Sequence, residues 1–544
     1  MYRTRPNSVD RRLACRAEDV QESPTRLLSA AQMQAVDARA VAQGLDSFAL
    51  MTAAGEAVAA ATIDLLVARP GRVLVMAGPG NNGGDGAVAA RALHEQGHRV
   101  CLWRFVSRSD PSPATQGDAA SDAERAFADW QGETHHCRLD ESQLPPSLAE
   151  LIARADVIVD ALFGAGLSRP LEGVLAEVVA LVNASVARVL AVDVPSGLDG
   201  NSHQVSGACI EATATVTFFL FKPAHFLYPG RALCGDKTLA QIGLGDAQLD
   251  PAWPVCQLNE PAAFEAELPV LSNDGHKFDR GHVLVRSGPM VSTGAARLSA
   301  HAALYCGAGL VTLASQEQAL AVNAAHLTAV MLKHCDTVSQ WRELLQDSRI
   351  NTVVVGPGNG VDEHTRGCTL ESLAAGKRCV LDADALSCWT DAEDRRSLFQ
   401  QLQEAAGMAV LTPHGGEFRR LFPELSAEDR PGESASRLHL ARQAARRTSA
   451  VLVYKGADTV IAAPDGRAAI SANAPPWLAT AGAGDVLAGV IASLMAQGMP
   501  AFEAACAAVW LHGQAASDLQ YPISAEQLLT RVPDVLRSIS PVNR

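Results

Sequence analysis

The chain predicts an α/β fold made of two tandem three-layer α/β/α units, and three observations predict it. Short, wholly apolar runs of strand length alternate with helix-forming stretches, the pattern of parallel strands covered by helices on both faces. The alternation stops between Ile242 and Asn273, where Pro251, Pro254, Pro261 and Pro269 interrupt the sequence, and then restarts. A chain of 544 residues is also too long for one hydrophobic core. The first unit, residues 27–245, has expected strands at 72–77, 99–105, 157–162, 189–194 and 216–220 and reads as a doubly wound, Rossmann-like sheet. Residues 246–272 read as a linker. The second unit, residues 273–544, has expected strands at 282–286, 310–314, 352–355, 379–382, 409–412 and 451–454. Near its end, 459–462 and 468–471 flank Pro464-Asp465-Gly466 as a hairpin.

Composition narrows the function. Apolar residues make up 48% and charged residues 19%, as in a folded α/β protein rather than a disordered chain. A net charge of −14 repels polyanions, so no nucleic-acid partner is expected, and any nucleotide must be held by local donors. The apolar runs are of strand length, so no membrane span is expected. Twelve cysteines between Cys15 and Cys506 show no C-x-x-C spacing, which points to reduced thiols, a cytoplasmic protein and no structural metal. Residues 1–26 are polar, rich in arginine and also carry Asp10, Glu18, Asp19 and Glu22. They read as a disordered extension rather than a signal or transit peptide, and Asp110 to Pro113 read as a surface turn.

In open parallel sheets ligands bind beyond the carboxyl ends of the strands, so the loops that follow strands are the ones to inspect. After 72–77 comes GPGNNGGDG, residues 78–86, followed by the helix-forming stretch 87–96. Five glycines in nine residues would allow positive φ angles and close approach to a phosphate or nucleotide, although a tight turn that binds nothing has the same outline. The spacing is neither G-x-G-x-x-G nor a P-loop. Loops 160–170 (DALFGAGLSRP) and 193–200 (DVPSGLDG) follow two further strands. Asn82, Asp160 and Ser196 would bring an amide, a carboxylate and a hydroxyl to one crevice, an oxygen set for a hard cation. Asp160 could equally be a helix cap or turn residue. Asp193, at the end of an apolar strand, could transfer protons if partly desolvated, or serve the turn with Pro195 and Gly197.

In the second unit, Thr480-Ala481-Gly482-Ala483-Gly484-Asp485 precedes an apolar helical stretch closed by Gly498. Free N–H groups at such a helix start could hold a transferring phosphoryl group, with Asp485 accepting the proton of the attacking hydroxyl, or Asp485 could simply be an N-cap. Three strand-end loops agree with the first possibility: 356–360 (GPGNG), 412–417 (TPHGGE) and 455–459 (KGADT). Lys455 could meet a nucleotide phosphate or be a solvated strand end. His414 could touch a substrate ring or cap a helix, and Glu417 reads as a first-turn helix residue.

Two sets of motifs resemble known families. NNGGDG, DALFGAGLSRP and VDVPSGLDG, with LSAAQMQAVD upstream, resemble the epimerase domain that acts on NAD(P)HX, the hydrated form of NADH or NADPH. That resemblance implies potassium at Asn82, Asp160 and Ser196. It implies substrate contacts from Asn81, Asn82, Gly83, Gly84 and Asp85, from Gly164, Ala165, Gly166, Leu167, Ser168, Arg169 and Pro170, and from Asp193. HKFDRGHVLV, STGAARLSAHAALYCGAGLVTLA, VVVGPGNG, VLDADAL, LTPHGGEF, YKGADTVI and ATAGAGDVLAGVIASLMAQG resemble the NAD(P)HX dehydratase domain, which has a ribokinase-like fold. There the resemblance implies that Ala295, Gly358 or Gly360, His414 and Asp485 touch the hydrate, and that Lys455, Gly456, Ala457, Asp458, Thr459 and Gly484 touch the adenine nucleotide. This sequence departs from the family pattern at Asn473 to Trp477 and at His414-Gly415-Gly416.

Together the resemblances imply a bifunctional repair enzyme of NADHX and NADPHX. The first unit would interconvert the R and S epimers with K+. The second would dehydrate the S epimer with ADP and Mg2+, giving AMP and phosphate; the fused architecture favours ADP over ATP. Asp485 and Asp193 are the expected catalytic groups, and a homo-oligomer is the expected assembly. The alternative is a ribokinase-like small-molecule kinase whose first unit is a non-catalytic binding module. The intact Asn82, Asp160, Asp193 and Ser196 favour the first reading.

Overall fold

The computed structural model describes residues 25–67, 70–106, 121–141, 143–167, 169–201, 203–205, 207–272, 274–427 and 436–540. Residues 1–24 of the expected extension, the turn expected at Asp110 to Pro113, and Ser168 lie outside the described residues. The chain divides into two compact units, Met1–Pro251 and Ala252–Arg544.

Unit 1 is a sheet of seven parallel strands: β1 Arg72–Ala77, β2 Arg99–Val106, β3 Glu133–Arg138, β4 Val157–Ala161, β5 Arg188–Val192, β6 Ala214–Phe218 and β7 Asp236–Ala240, in the order β3-β2-β1-β4-β5-β6-β7. Alternate residues of one strand serve different cores, which is why the runs are apolar throughout. Val73, Val75 and Ala77 face one buried cluster, while Leu74 and Met76 face the other. The order reverses between β1 and β4, and a ligand crevice opens at such a point. Sequence periodicity missed β3 and β7. These edge strands are polar and largely exposed, so they lack the apolar run that marks a buried strand.

The expectation that apolar runs stop at strand length is corrected by the helix Ser47–Leu65. Its 19 residues, with a hydropathy of 1.4, are long and apolar enough to cross a membrane by length and composition. In unit 1 its Phe48, Met51, Ala54, Val58 and Ala59 are buried core residues.

Unit 2 contains β8 Cys256–Leu258, β9 His282–Arg286, β10 Leu310–Ser315, β11 Met331–His334, β12 Thr352–Val355, β13 Arg378–Leu381, β14 Ala409–Leu411, β15 Val451–Tyr454, β16 Val460–Ala462 and β17 Ala468–Ile470. The order is β11-β10-β9-β12-β13-β14-β15-β16-β17-β8, with its switch point between β9 and β12. β16 pairs antiparallel with both β15 and β17, so the hairpin read at Pro464-Asp465-Gly466 is present. The linker expected at 246–272 is corrected: Cys256–Leu258 pairs with β17 and closes that edge of the sheet. Three residues between prolines are too short to show a strand period, so this pairing is visible only in three dimensions.

Leu284 in central strand β9 is fully buried. Leu284→Ala is expected to lower the unfolding free energy of unit 2 by about 2–5 kcal/mol, read from urea denaturation curves.

Candidate functional site

The first crevice lies at the carboxyl ends of β1, β4, β5 and β6, around a cavity of about 550 Å³. The nine-residue turn expected at 78–86 ends at Gly80, and residues 81–86 already belong to the helix Asn81–Glu95. None of the five glycines has a positive φ. Close approach explains four of them, all but Gly80: a Cβ on Gly78 would collide with the carbonyl oxygen of Leu162, and one on Gly83 with that of Gly78. The helix start leaves its first N–H groups without intrahelical acceptors. The cavity wall includes Asn81, Asn82, Asp85, Gly164 to Leu167, Arg169 and Asp193. Gly83 and Gly84 pack behind it, Gly84 against Met51, and Pro170 packs beside Gly207.

Asp160 and Ser196 form a buried oxygen cluster. Asp160 accepts from the Ser196 hydroxyl at 2.6 Å, the Ser196 N–H at 2.8 Å and the Leu162 N–H at 3.3 Å. The Ser196 hydroxyl also lies 3.1 Å from the Phe163 carbonyl oxygen. Burial raises the Asp160 carboxyl to about 6 against the pull of these hydrogen bonds, and no described lysine or arginine pairs with it. Asn82 has its Nδ2 buried without a hydrogen-bond partner among the described residues. Its Oδ1 and the Asp193 Oδ2 each lie 3.3 Å from the point a Gly164 Cβ would occupy, so the two side chains converge over that glycine.

Asp193 follows β5 in the left-handed region, φ 69°. His225 donates from Nε2 to its carbonyl at 2.8 Å, while His225 Nδ1 accepts from the Lys222 N–H at 3.0 Å. Lys222, itself buried, donates from Nζ to Asp193 Oδ1 at 2.6 Å and to Thr217 Oγ1 at 2.9 Å. Thr217 and the Ala165 N–H also donate to the Asp193 carboxylate, at 3.0 and 3.1 Å. Burial alone would raise this carboxyl, but Lys222 and these donors hold it below the usual range. Asp193, the expected proton acceptor, is thus enclosed by Lys222, Thr217 and the Ala165 N–H. Asp85 shows the opposite balance, since burial first and then Asp193 and Asp37 push its carboxyl well up. Lys222, His225 and Asp37 were missed in the sequence. Lys222 follows β6, whose loop carries no glycine signature, and Asp37 sits within the LSAAQMQAVD segment on the helix Ala30–Ala42.

The second crevice lies at the carboxyl ends of β12 to β15 and the start of the helix Ala483–Ala496. Gly482, with φ 85°, caps that helix, so Asp485 is a first-turn residue without a capping bond and its carboxyl is left for the crevice. Burial, then Asp382, raises it to about 6, with Lys455 opposing and Asp384 adding. Lys455 Nζ pairs with Asp382 Oδ1 at 2.7 Å, and a Cβ on Gly484 would stand 3.5 Å from that Nζ. Ala383, with φ 48°, turns the chain so that Asp384 accepts from the Gly360 N–H at 2.8 Å. Ser292 donates to the Gly358 carbonyl at 2.7 Å, and Ala295 stands beside Gly358.

His414 is the N-cap of the helix Gly415–Leu421, its Nδ1 accepting from the Gly416 N–H at 2.9 Å, while buried Glu417 completes the capping box. Burial, then Lys455, lowers the His414 imidazole. In 455–459, Thr459 Oγ1 accepts from the Gly456 N–H at 3.1 Å, and Asp458 lies 3.5 Å from Arg437 Nε. Arg437 in turn stacks over Tyr454, 3.8 Å from the ring centroid, so Asp458 and Arg437 brace the Lys455 loop. Asp382 and Asp384 were not singled out as site residues in the sequence, although the D-A-D at a strand end was the available signal.

Two parallel-sheet units, each with an acid-rich crevice at its switch point, define a two-site α/β enzyme. Residues 283–537 match the family model described as NAD(P)H-hydrate dehydratase, and residues 47–224 match that of the YjeF-related protein N-terminus. The bifunctional NAD(P)H-hydrate repair enzyme of Thermofilum pendens is 34% identical over 92% of this chain and 91% of its own length. That of Moorella thermoacetica is 36% identical over 86% and 88%. That of Escherichia coli K12 is 33% identical over 82% and 80%. Among solved structures, an ADP/ATP-dependent NAD(P)H-hydrate dehydratase from Bacillus subtilis, co-crystallized with ATP and Mg2+, is 24% identical and covers 54% of this chain and all of its own, at TM-score 0.43. A ribokinase-like superfamily protein from Enterococcus faecalis is 23% identical, covering 52% and 96% at TM-score 0.45. The chain belongs to the bifunctional NAD(P)H-hydrate repair enzymes, which join an epimerase domain to a dehydratase domain.

Gly78→Ala is expected to push the Leu162 backbone aside and destabilise unit 1 by about 1–3 kcal/mol, measured as an earlier first transition in chemical denaturation.

Proposed function

We propose that unit 1 interconverts the R and S epimers of hydrated NADH and NADPH, and that unit 2 dehydrates the S epimer at the expense of ADP. The observation that carries this is Asp485: a crevice carboxyl free of capping duty, beside the Lys455–Asp382 pair and at a helix start.

In unit 2, Asp485 takes the proton of the ring hydroxyl. The hydroxyl oxygen then attacks the terminal phosphorus of ADP, and AMP departs with the electrons of the broken P–O bond. The ring nitrogen lone pair expels phosphate from the ring carbon, and loss of the neighbouring proton restores the double bond. ADP makes a leaving group of an oxygen that leaves poorly as hydroxide. First-turn N–H groups of the helix Ala483–Ala496 and Lys455 would hold the phosphates. Asp382, Glu417 and Asp485 surround that lysine, with Asp384 beside Asp485, so a diphosphate would enter this acidic crevice with Mg2+, which supplies the balancing positive charge. In this reading Ala295, Gly358, Gly360 and His414 would receive the hydrate, while Gly456 to Thr459 and Gly484 would border the nucleotide.

In unit 1, Asp160, Ser196 and Asn82 are the K+ ligands in this reading. The buried Asp160 carboxylate has no cationic partner among the described residues, and with the Ser196 hydroxyl and the Asn82 Oδ1 it would offer an all-oxygen set with one negative charge, which suits a hard cation. K+ there would fix the loops at 160–170 and 193–200 around the substrate. The 550 Å³ cavity, with Asn81, Arg169 and Asp193 on its wall, would take the nicotinamide end of the dinucleotide. Every described cysteine is free, which supports a cytoplasmic setting.

A mixture of both hydrate epimers with Mg2+ and ADP, repeated with ATP, tests the reading through recovery of reduced-nicotinamide absorbance. Complete recovery with ADP is expected. Recovery that stalls at one epimer's fraction would leave unit 1 as a binding module, and none with either nucleotide would favour the kinase alternative. Because Asp485 must be ionised to accept a proton, the dehydration kcat should fall as pH drops through about 6. Asp485→Asn should lose on the order of 100-fold or more in kcat while still binding nucleotide; normal turnover would refute the base assignment.

A further inference from the structure

We propose that Asp37 and Lys222 carry the two proton transfers of epimerisation, and that Asp193 is the fixed counter-charge that positions Lys222. The proposal rests on the epimerase reading of unit 1 and assigns its acid and base.

The cavity contains few groups that can exchange a proton. Asp193 is committed to Lys222, Thr217 and the Ala165 N–H. His225 is locked as the neutral Nε2–H tautomer between the Asp193 carbonyl and the Lys222 N–H, and burial lowers its imidazole to about 3. Asp85 is buried, and that burial pushes its carboxyl well up. Asp37 differs from all three. It lines the same cavity from the helix Ala30–Ala42, is open to solvent, and makes no hydrogen bond or ion pair with a described residue. Although its residue is exposed at the cavity rim, the wall behind it desolvates the carboxyl, and with Asp193 adding and Lys222 opposing this raises it to about 6, so it can both take up and release a proton near neutrality. The other charged groups on the cavity wall are Asp122 and Arg169, and Arg39 on the same helix is turned to Asp250. Lys222 uses two of its three donors on Asp193 and Thr217, which leaves one for a substrate.

The hydrate is a carbinolamine, with the hydroxyl-bearing carbon bonded to the ring nitrogen. Asp37 takes the hydroxyl proton, the freed electron pair forms a C=O bond, and the C–N bond breaks. The electrons of that bond go to the ring nitrogen, which takes a proton from Lys222. Rotation about the adjacent C–C bond presents the other face of the aldehyde. Reclosure returns the nitrogen proton to Lys222 and the Asp37 proton to oxygen, giving the opposite epimer with no atom gained or lost.

The test uses the full chain and Asp37→Asn, with epimer ratios followed chromatographically. The kcat of epimerisation should fall on the order of 100-fold or more, with KM within about threefold and the melting temperature unchanged. The wild-type kcat should fall as pH drops through about 6, because the base must be ionised; that limb should vanish in Asp37→Asn and return in Asp37→Glu. Lys222→Met should lose kcat similarly, and the hydroxyl oxygen should be retained in water enriched in oxygen-18 during one turnover. Wild-type-like kcat with the same acid limb in Asp37→Asn, or oxygen exchange on every turnover, would overturn the proposal. A wild-type chain that leaves the epimers unmixed would instead overturn the epimerase reading on which it rests.

Discussion

Both crevices depend on two backbone segments meeting across a switch point without a side chain between them. In unit 1, Gly78 after β1 abuts the carbonyl of Leu162 after β4; in unit 2, Gly288 after β9 abuts the carbonyl of Gly358 after β12. A methyl group at either glycine would collide with that oxygen and wedge the loops apart. The reversal of strand order opens a gap between these strands, and the glycine contact closes its floor. What stands above the floor is then held by short, specific contacts: Asp193, Asn82 and Gly164 in one unit, and Ser292, Ala295 and Gly358 in the other.

The charge pattern also repeats. Each crevice holds a lysine committed to an aspartate, Lys222 to Asp193 at 2.6 Å and Lys455 to Asp382 at 2.7 Å. Each then has a second carboxyl, Asp37 or Asp485, that desolvation carries to about 6. That arrangement divides the labour: the paired aspartate orients the lysine, and the other carboxyl is placed to exchange protons near neutral pH. The two chemistries then differ through what else is present. Unit 1 adds the uncompensated Asp160 cluster, while unit 2 adds a helix start aimed at phosphate.

The buried strands were legible because burial on both faces imposes an unbroken apolar run, as in Arg72–Ala77 and Thr352–Val355. The edge strands Glu133–Arg138 and Cys256–Leu258 were not, since exposure or brevity erases that pattern. Asn82, Asp160 and Asp485 stood out because each sits in or beside a glycine-rich segment at the end of a strand or the start of a helix. Lys222 did not, because a lysine after an apolar strand looks solvated until His225, Thr217 and Asp193 are seen to enclose it. Four of the five glycines of 78–86 serve close packing, which requires knowing what lies opposite, and none has the positive φ that their number suggested. His414 turned out to be a helix cap, one of the two roles its position beside a turn allowed.

The central claim is that one chain holds two successive activities whose joint action leaves no dead-end epimer. The most direct measurement gives the purified chain the R epimer alone, with ADP and Mg2+, and follows reduced-nicotinamide absorbance from mixing to completion. The account predicts a lag while the S epimer forms in unit 1, followed by quantitative recovery of NADH or NADPH. Absorbance that never rises from pure R epimer, while pure S epimer is fully converted under the same conditions, would contradict it.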